Sequence, residues 1–369
     1  MKSTSILLIT TGGTIAGNVA DSKTGATEKH SSGEDFKEII EPTLNHFKNK
    51  WQVEVKISHE LICDEDSSDI VPKNWIDLVD IIVKNYDEFD SFIITHGTNT
   101  MSYTCAALSF AIANLNKPVI VTGSQVPSGL PGSDALTNLT NALRVAIWPY
   151  EPTVKGVVAV FGCHIITGTR LKKTTEFDYE AFQPFSSSSI GRIGRIIIID
   201  EYNLKKHLNY LKTANYNKAL IAEDLKVEND FDMRIVSITE FPGMSHEIFK
   251  SLVENNDIKG FILRAFGAGD ASTHIHPGLK YLKEKEIPIV ITTQAPNGNS
   301  NFQVNKPGQY IANGDLAIPA YDMSIESQTT KLAWLLAKKK KGEITYEDIK
   351  REMNEDIRGE INKLKEFKQ

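Results

Sequence analysis

Four short stretches of this chain combine hydroxyl, glycine and charged residues in patterns that could support catalysis. Gly12–Gly13–Thr14 follows the apolar run Ile6–Ile9 and places a hydroxyl directly after a turn. Asp66–Ser67–Ser68–Asp69 groups short polar side chains that could bind an ammonium and a carboxylate. The other two stretches are Thr95–Met101, which contains His96, Thr98 and Asn99, and Thr169–Thr174, which contains Lys172 and Lys173.

Together these residue types predict acyl transfer by an activated hydroxyl. A threonine hydroxyl is a weak nucleophile until a base removes its proton, and a lysine whose pKa is lowered by burial can be that base. Backbone N–H groups at a helix start after Thr95–Met101 would suit an oxyanion. Taken singly, each stretch also has a structural interpretation: a tight turn, a helix cap, a hydrogen-bonding histidine and a solvated lysine pair.

Several other chemistries are disfavoured because their motifs are missing. The chain contains neither the Gly-x-Ser-x-Gly turn of many serine hydrolases nor the His-Glu-x-x-His pair of zinc proteases. The first turn is not Gly-x-Gly-x-x-Gly, which disfavours a dinucleotide site. The cysteines, at positions 63, 105 and 163, are widely spread and form no Cys-x-x-Cys pair. They argue against a disulfide framework or a zinc site and suit a reducing compartment.

Charge and hydropathy limit the partners. The net charge of −6 over 369 residues gives no electrostatic footprint for nucleic acid. Lys338–Lys341 is a short basic run, but Glu343 and Glu347 follow it, which favours a solvated helix end. No apolar run approaches the roughly 20 residues of a membrane span, and no signal peptide precedes the first strand. We therefore expect a cytoplasmic protein without a nucleic-acid or membrane partner.

The order of apolar and amphipathic segments predicts the fold. Short apolar runs, such as Ser91–Thr95 and Pro118–Thr122, alternate with stretches of helical spacing. This alternation predicts an α/β fold with a larger N-terminal domain, whose mostly parallel sheet is flanked by helices, plus a smaller C-terminal α/β domain. Because parallel strands end at the same edge of a sheet, Thr14 and Thr98 are expected to share one crevice.

Changes in composition predict the domain limits. Residues 186–216 contain four consecutive serines, two Gly-Arg pairs, an isoleucine run and a stretch rich in Lys, Tyr and Asn. We expect an N-terminal domain at 1–190, a linker at 191–215 and a smaller C-terminal domain at 216–369. The polar segment 18–35 has no clear period and is expected to be an irregular loop.

Two of the stretches also resemble a known family. Thr10–Gly17, which reads Thr-Thr-Gly-Gly-Thr-Ile-Ala-Gly, resembles the first signature of the bacterial-type L-asparaginases, and Thr95–Met101 resembles the second. The resemblance continues along almost the whole chain, through residues 122–125, 133–135, 138–139, 170–173, 181–182, 263–264, 267–269, 293–294, 330–332, 353 and 358–360. The ending Arg358–Gly359–Glu360 is most similar to the class 1, cytoplasmic branch.

The resemblance implies a reaction and its catalytic residues. Thr14 would be the nucleophile that attacks the side-chain amide carbon of L-asparagine. Thr98 would be the second catalytic threonine, coupled to Lys173, and would help to stabilise the oxyanion. Loss of ammonia would leave an acyl-enzyme, which water hydrolyses to L-aspartate. No metal and no organic cofactor is implied.

The resemblance also implies binding residues and assembly. Ser67, Ser68 and Asn99 would hold the α-carboxylate and α-amino groups of asparagine or aspartate. The family forms intimate homodimers, often paired into homotetramers. Members of the class 1 branch can bind asparagine at a second, allosteric site, and Arg264 resembles an arginine of that region.

Three positions depart from the family pattern. The second motif has Asn99 where the family has aspartate, and a neutral amide cannot form an ion pair with the substrate ammonium. Losing such a charge-assisted contact is expected to cost a few kcal/mol, or about two decades in rate. The segment 18–35 contains no tyrosine, whereas many relatives place one there to orient the nucleophile. The family's Gly-x-Gly-Asn is Gly267–Ala268–Gly269–Asp270 here.

Two other functions are compatible with these departures. The chain could be a catalytically weak sensor that binds asparagine or aspartate. It could also be the asparaginase-like subunit of a tRNA-dependent amidotransferase. Such subunits carry an extra N-terminal domain before the first signature, whereas the signature begins at Thr10 here. L-asparagine hydrolysis is the leading hypothesis.

Overall fold

The computed structural model describes residues 2–12, 17–19, 27–30, 33–151, 153–211, 224–302 and 305–362. Within residues 13–39 it describes only the backbone. The chain divides into two compact units, Met1–Asn229 and Asp230–Gln369. Both have alternating helices and strands, so the predicted α/β class with a larger N-terminal and a smaller C-terminal part is confirmed.

The first unit contains these strands and helices in its described residues. The strands are β1 (Lys2–Thr10), β2 (Gly17–Val19), β3 (Thr27–His30), β4 (Val53–Leu61), β5 (Ser91–Thr95), β6 (Ile112–Ala113), β7 (Pro118–Thr122), β8 (Gly156–Phe161), β9 (His164–Thr167), β10 (Leu171–Lys173), β11 (Phe182–Pro184), β12 (Gly191–Ile193), β13 (Ile197–Ile199) and β14 (Lys226–Val227). The helices are α1 (Gly33–His46), α2 (Pro72–Lys84), α3 (Met101–Ala111), α4 (Ala135–Ala146) and α5 (Glu201–Tyr210).

An eight-stranded sheet forms the centre of the first unit. Its spatial order is β13-β12-β9-β8-β7-β5-β1-β4. Strands β4, β1, β5, β7 and β8 form parallel pairs with one another, whereas β9, β12 and β13 add antiparallel pairs at one side. Strands β10 and β11 form a separate antiparallel hairpin. The mostly parallel sheet agrees with the alternation in the sequence.

The central strands are apolar on both faces because helices cover both. Ile6, Leu8 and Ile93 belong to a core cluster that also contains residues of α1 and α4. Leu7 and Phe92, which point to the other face because side chains alternate along a strand, are buried as well. A parallel sheet covered on both faces needs such continuous apolar runs, so the unbroken runs of the sequence are explained by packing.

Regular structure is present in the loop expected at 18–35 and in the linker expected at 191–215. Within 18–35, the described residues form the antiparallel pair β2–β3 and the start of α1. Within the predicted linker 191–215, residues 191–199 form β12 and β13 of the large sheet, and α5 follows. Residues 212–223 lie outside the described part. The boundary between the two compact units lies between Asn229 and Asp230.

The second unit has a four-stranded parallel sheet in the order β15-β16-β17-β18. Its strands are β15 (Ile235–Thr239), β16 (Gly260–Ala265), β17 (Ile289–Thr293) and β18 (Ile318–Pro319), and its helices are α6 (Glu247–Asn255), α7 (His276–Glu284), α8 (Lys306–Asn313), α9 (Ile325–Lys340) and α10 (Tyr346–Asn354). Among the described residues of the whole chain, no helix has the length and apolar character that a membrane span requires.

A fully buried ion pair ties the C-terminal segment to α9. The Nζ atom of Lys331 lies 2.6 Å from Oε1 of Glu360, and both side chains are inaccessible to solvent. Oε1 also accepts from the backbone N–H of Ile357, and Oε2 accepts from that of Arg358. Burial raises the pKa of the Glu360 carboxyl, but Lys331 and the two N–H groups outweigh burial, so that pKa lies below its ordinary value.

Replacing Glu360 is expected to destabilise the chain because it leaves the Lys331 ammonium buried without a counter-ion. The Glu360→Gln variant should lose about 3–5 kcal/mol of unfolding free energy, the usual cost of breaking a buried pair. Urea unfolding followed by circular dichroism measures this loss. Glu347→Gln is the matched control, because it removes an exposed partner of Lys350. Equal unfolding curves for both variants would contradict the prediction.

Candidate functional site

The carboxyl ends of β1 and β5 lie side by side at one edge of the large sheet. The two strands are parallel, and Thr10 pairs with Thr95. One residue beyond β1, Thr11 donates to the Thr95 carbonyl oxygen from its backbone N–H at 3.2 Å and from its hydroxyl at 3.1 Å. The chain therefore leaves the two strands at adjacent positions.

Gly12, two residues beyond the end of β1, has a conformation that requires glycine. Its φ is +85°, and a Cβ atom there would lie 2.6 Å from the backbone N and O atoms of Glu65. Any side chain would therefore collide with the neighbouring loop. Thr14, the predicted nucleophile, lies two residues further on and outside the described residues.

The turn after β5 is held by a buried, neutral histidine. The Nδ1–H of His96 donates to the Gly97 carbonyl oxygen at 2.7 Å, and the Thr104 hydroxyl donates to Nε2 at 2.8 Å. The Trp75 indole N–H donates in turn to the Thr104 oxygen at 3.1 Å. Burial lowers the pKa of His96 to about 4. His96 is therefore uncharged at neutral pH and fixes the backbone that precedes Thr98.

The structure brings Lys173 to this turn. Lys173 ends β10, and its Nζ atom lies 2.8 Å from the Thr98 hydroxyl oxygen and 3.1 Å from Oδ1 of Asn99. Thr98 is buried and Lys173 is half-buried. Burial lowers the pKa of the lysine, while the charges of Glu176 and Asp66 act in the opposite direction. A lysine with a lowered pKa beside a buried hydroxyl is suited to accept its proton.

The two serines of the Asp66–Asp69 stretch contact the same turn. The backbone N–H of Asn99 donates to the Ser67 hydroxyl at 3.2 Å, and its side-chain Nδ2 donates to the Ser68 hydroxyl at 3.2 Å. The Thr100 hydroxyl donates to the Ser67 carbonyl oxygen at 2.5 Å. Ser67 is buried and Ser68 is exposed. Five of the predicted residues thus form one hydrogen-bonded group: Ser67, Ser68, Thr98, Asn99 and Lys173.

The close approach of these loops depends on Gly97. A Cβ atom on Gly97 would lie 2.6 Å from the Ser67 hydroxyl oxygen and 2.7 Å from the Ser67 Cβ. A side chain there would push the serine loop away from Asn99. The glycine of the His-Gly-Thr motif therefore has a packing role that complements the polar roles of its neighbours.

Sequence reasoning missed the residues that support the site from a distance. Trp75 and Thr104 hold His96, and Glu176 acts electrostatically on Lys173. Gln125 donates from Nε2 to the Glu176 carbonyl oxygen at 2.9 Å and thereby holds the loop after β10. Trp75 and Gln125 lie far in sequence from Thr104 and Glu176, the residues to which they donate. Only the folded chain brings them together.

Arg264 lies in the second unit, in β16, with its side chain exposed. Its carbonyl oxygen accepts from the backbone N–H of Glu240 and from Nε2 of Gln294, each at 3.0 Å. The following Gly267 and Gly269 have φ values of +45° and +93°. In the part of the chain that the structure describes, no group of three His, Cys, Asp or Glu side chains could hold a metal ion.

Comparisons with known proteins match both parts of the chain. The family model for the asparaginase N-terminal domain matches residues 5–205, and that for the glutaminase/asparaginase C-terminal domain matches residues 234–347. The chain is 31% identical to a subunit of the glutamyl-tRNA(Gln) amidotransferase of Methanococcus maripaludis strain C7, over 98% of this chain and 81% of that protein.

Two asparaginases are similarly related. L-asparaginase 1 of Escherichia coli strain K12 is 32% identical, over 82% of this chain and 84% of that protein. The solved structure of the thermostable L-asparaginase from Thermococcus kodakarensis has a TM-score of 0.80 at 28% identity, over 98% of this chain and 100% of that one.

The buried His96 is expected to make stability depend on pH. Folding lowers its pKa from 6.5 to about 4, so the unfolded chain binds the proton more readily. The contribution of His96 is intact above about pH 6.5 and is lost as the pH falls towards 4. Between pH 7 and pH 5, wild type should lose about 2 kcal/mol more unfolding free energy than His96→Asn.

Urea unfolding at the two pH values measures this difference. His246→Asn is the control, since the His246 side chain is 39% exposed, and it should lose as much stability as wild type. An identical pH-dependent loss in wild type and His96→Asn would disprove the assignment.

Proposed function

The chain belongs to the asparaginase family, and from this membership we propose that it hydrolyses the side-chain amide of L-asparagine to L-aspartate and ammonia. Membership confirms the resemblance of the two threonine motifs and supports amidohydrolase chemistry in general. The observation that carries the specific proposal is the contact of Lys173 with Thr98, at 2.8 Å.

The proposed reaction proceeds in two steps. The Thr14 hydroxyl oxygen attacks the amide carbon, the Thr14 proton ends on the amide nitrogen, and the C–N bond breaks to release ammonia and leave an ester on Thr14. Water then attacks the ester, gives one proton back to the Thr14 oxygen, and releases the free acid. In the first step Lys173, in its neutral form, accepts the Thr14 proton through the Thr98 hydroxyl and then returns it to the amide nitrogen. The sum is amide plus water giving acid plus ammonia.

The binding residues are proposed on the same basis. Ser67, Ser68 and Asn99 lie beside the Thr98–Lys173 pair and offer hydroxyl and amide groups to the α-carboxylate and α-amino groups of asparagine. Hydrolysis needs neither an electron acceptor nor a group carrier, so we propose no cofactor. Assembly into homodimers or homotetramers, an allosteric asparagine site at Arg264 and a cytoplasmic location stay predictions.

A second candidate function is supported by the similarity to the tRNA-dependent amidotransferase of Methanococcus maripaludis, which extends over 98% of this chain. In that function the chain would release ammonia from an amide for use on a tRNA-bound substrate and would need a partner protein. Co-purification of a second protein and of tRNA with the chain, together with little ammonia release by the isolated chain, would favour it. Tight asparagine binding without turnover would instead favour the sensor.

Ammonia release from L-asparagine by the purified chain tests the leading proposal. Lys173→Met should lower kcat/KM by about 10²–10⁴, the usual contribution of a general base. Lys172→Met is the matched control: Lys172 precedes Lys173 in the same strand and points to the opposite side. Its activity should stay close to wild type. Release of ammonia that is equal in both variants, or absent from the wild type with asparagine and glutamine, would refute the proposal.

A further inference from the structure

Asn99 uses both ends of its carboxamide inside the site. Oδ1 accepts from Nζ of Lys173 at 3.1 Å, and Nδ2 donates to the Ser68 hydroxyl at 3.2 Å. The backbone N–H of Asn99 also donates to Ser67. In this orientation the neutral carbonyl oxygen of the amide faces the lysine and its donor end faces the serine.

The second contact of Lys173 can run in either direction. Its Nζ atom lies 2.8 Å from the Thr98 hydroxyl oxygen. A charged ammonium can only donate in this contact. A neutral amine can accept the Thr98 proton in a hydrogen bond while it still donates an N–H to Asn99. The arrangement thus gives the neutral lysine a donor for its lone pair and an acceptor for one N–H, and the bond from Thr98 then points along the direction of proton transfer.

A carboxylate at position 99 would favour the opposite state. It would place a negative charge about 3 Å from Nζ, at the position that Oδ1 of Asn99 now occupies. An opposite charge this close stabilises the ammonium form. The lysine would then keep its proton and could only donate to the Thr98 oxygen. The exchange of one amide for one carboxylate therefore changes the favoured protonation state without changing the shape of the site.

The other charged groups around Lys173 show why a neutral residue 99 matters. Burial lowers the pKa of Lys173, whereas Glu176, on the loop after β10, and Asp66, before the serines, raise it. Both carboxylates are exposed, and Oδ1 of Asp66 accepts from the Ser68 backbone N–H. Lys172 is the preceding residue of β10. With a carboxylate at position 99, three negative groups would act on the same amine.

We propose that Asn99 is a positioning residue that keeps the Lys173 amine in its neutral, proton-accepting form, so that the Thr98–Lys173 pair works at a lower pH than it would beside a carboxylate. In the step concerned, the O–H bond of Thr98 breaks, a new N–H bond forms on Nζ, and the electron pair stays on the threonine oxygen. This deepens the proposed amide hydrolysis and rests on it for the activity readout alone.

The protonation state of Lys173 can be measured directly in the full chain. In protein labelled with ¹³C at the lysine ε-carbon, the signal of Lys173 is identified by its loss in Lys173→Met and is followed by NMR from pH 6 to pH 11. The Asn99→Asp variant should raise the titration midpoint of Lys173 by about one pH unit or more. An unchanged or lowered midpoint would overturn the proposal.

Two further variants separate charge from structure. Asn99→Ala removes the hydrogen bonds of the amide but adds no charge, so it should move the midpoint much less than Asn99→Asp. Glu176→Gln removes one of the carboxylates that favour the ammonium, and it should lower the midpoint. If Asn99→Ala and Asn99→Asp shift the midpoint equally, Asn99 acts only through structure and the proposal is wrong.

Activity gives an independent readout and separates the two proposals. The acid limb of the kcat/KM profile for ammonia release should move to higher pH in Asn99→Asp, by the same amount as the NMR midpoint, whatever the change in the maximum. A raised midpoint in a chain that hydrolyses no amide supports the role of Asn99 and contradicts the proposed function. Amide hydrolysis with an unshifted midpoint and acid limb supports the proposed function and refutes the role of Asn99.

Discussion

Parallel pairing of β1 with β5 is the constraint on which the site depends. The pairing sets Thr10 beside Thr95, so the chain leaves both strands at the same edge of the sheet. Beyond β1, Gly12 has a positive φ, and the loop at Glu65 leaves no room there for a side chain. The turn after β5 carries Thr98 and Asn99. Strand pairing thus determines which polar residues lie close enough to form hydrogen bonds.

Contacts between residues distant in sequence complete the hydrogen-bonded group at this edge of the sheet. Lys173 reaches Thr98 across 75 residues of sequence because β10 ends beside the turn after β5. The approach of the chain segments is close enough to require glycine twice. A Cβ atom on Gly97 would overlap Ser67, and one on Gly123 would lie 2.4 Å from the carbonyl oxygen of His96. The hydrogen bonds at this edge of the sheet therefore depend on close packing of the backbone.

Two of the polar groups around Thr98, the His96 ring and the Asn99 amide, carry no charge at neutral pH. His96 is neutral because burial lowers its pKa to about 4, and its two hydrogen bonds suit the neutral ring. Burial also lowers the pKa of Lys173. Asn99 offers the lysine an amide oxygen in place of a carboxylate. Because these two groups are neutral, the pKa of Lys173 depends mainly on burial, which lowers it, and on the exposed carboxylates of Glu176 and Asp66, which raise it.

Local sequence determined much of this protein. Apolar runs and helical spacing predicted the α/β class, and the described bounds of β5 and β7 agree with the runs 91–95 and 118–122, because strands buried on both faces must be continuously apolar. The threonine motifs identified the family. The antiparallel strands β9, β12 and β13 were not predicted, since such short strands carry little periodic signal. The meeting of Lys173, Asn99 and Ser68, and the support of His96 by Thr104 and Trp75, were decided only by tertiary structure. These contacts depend on distances between segments that share no spacing along the chain.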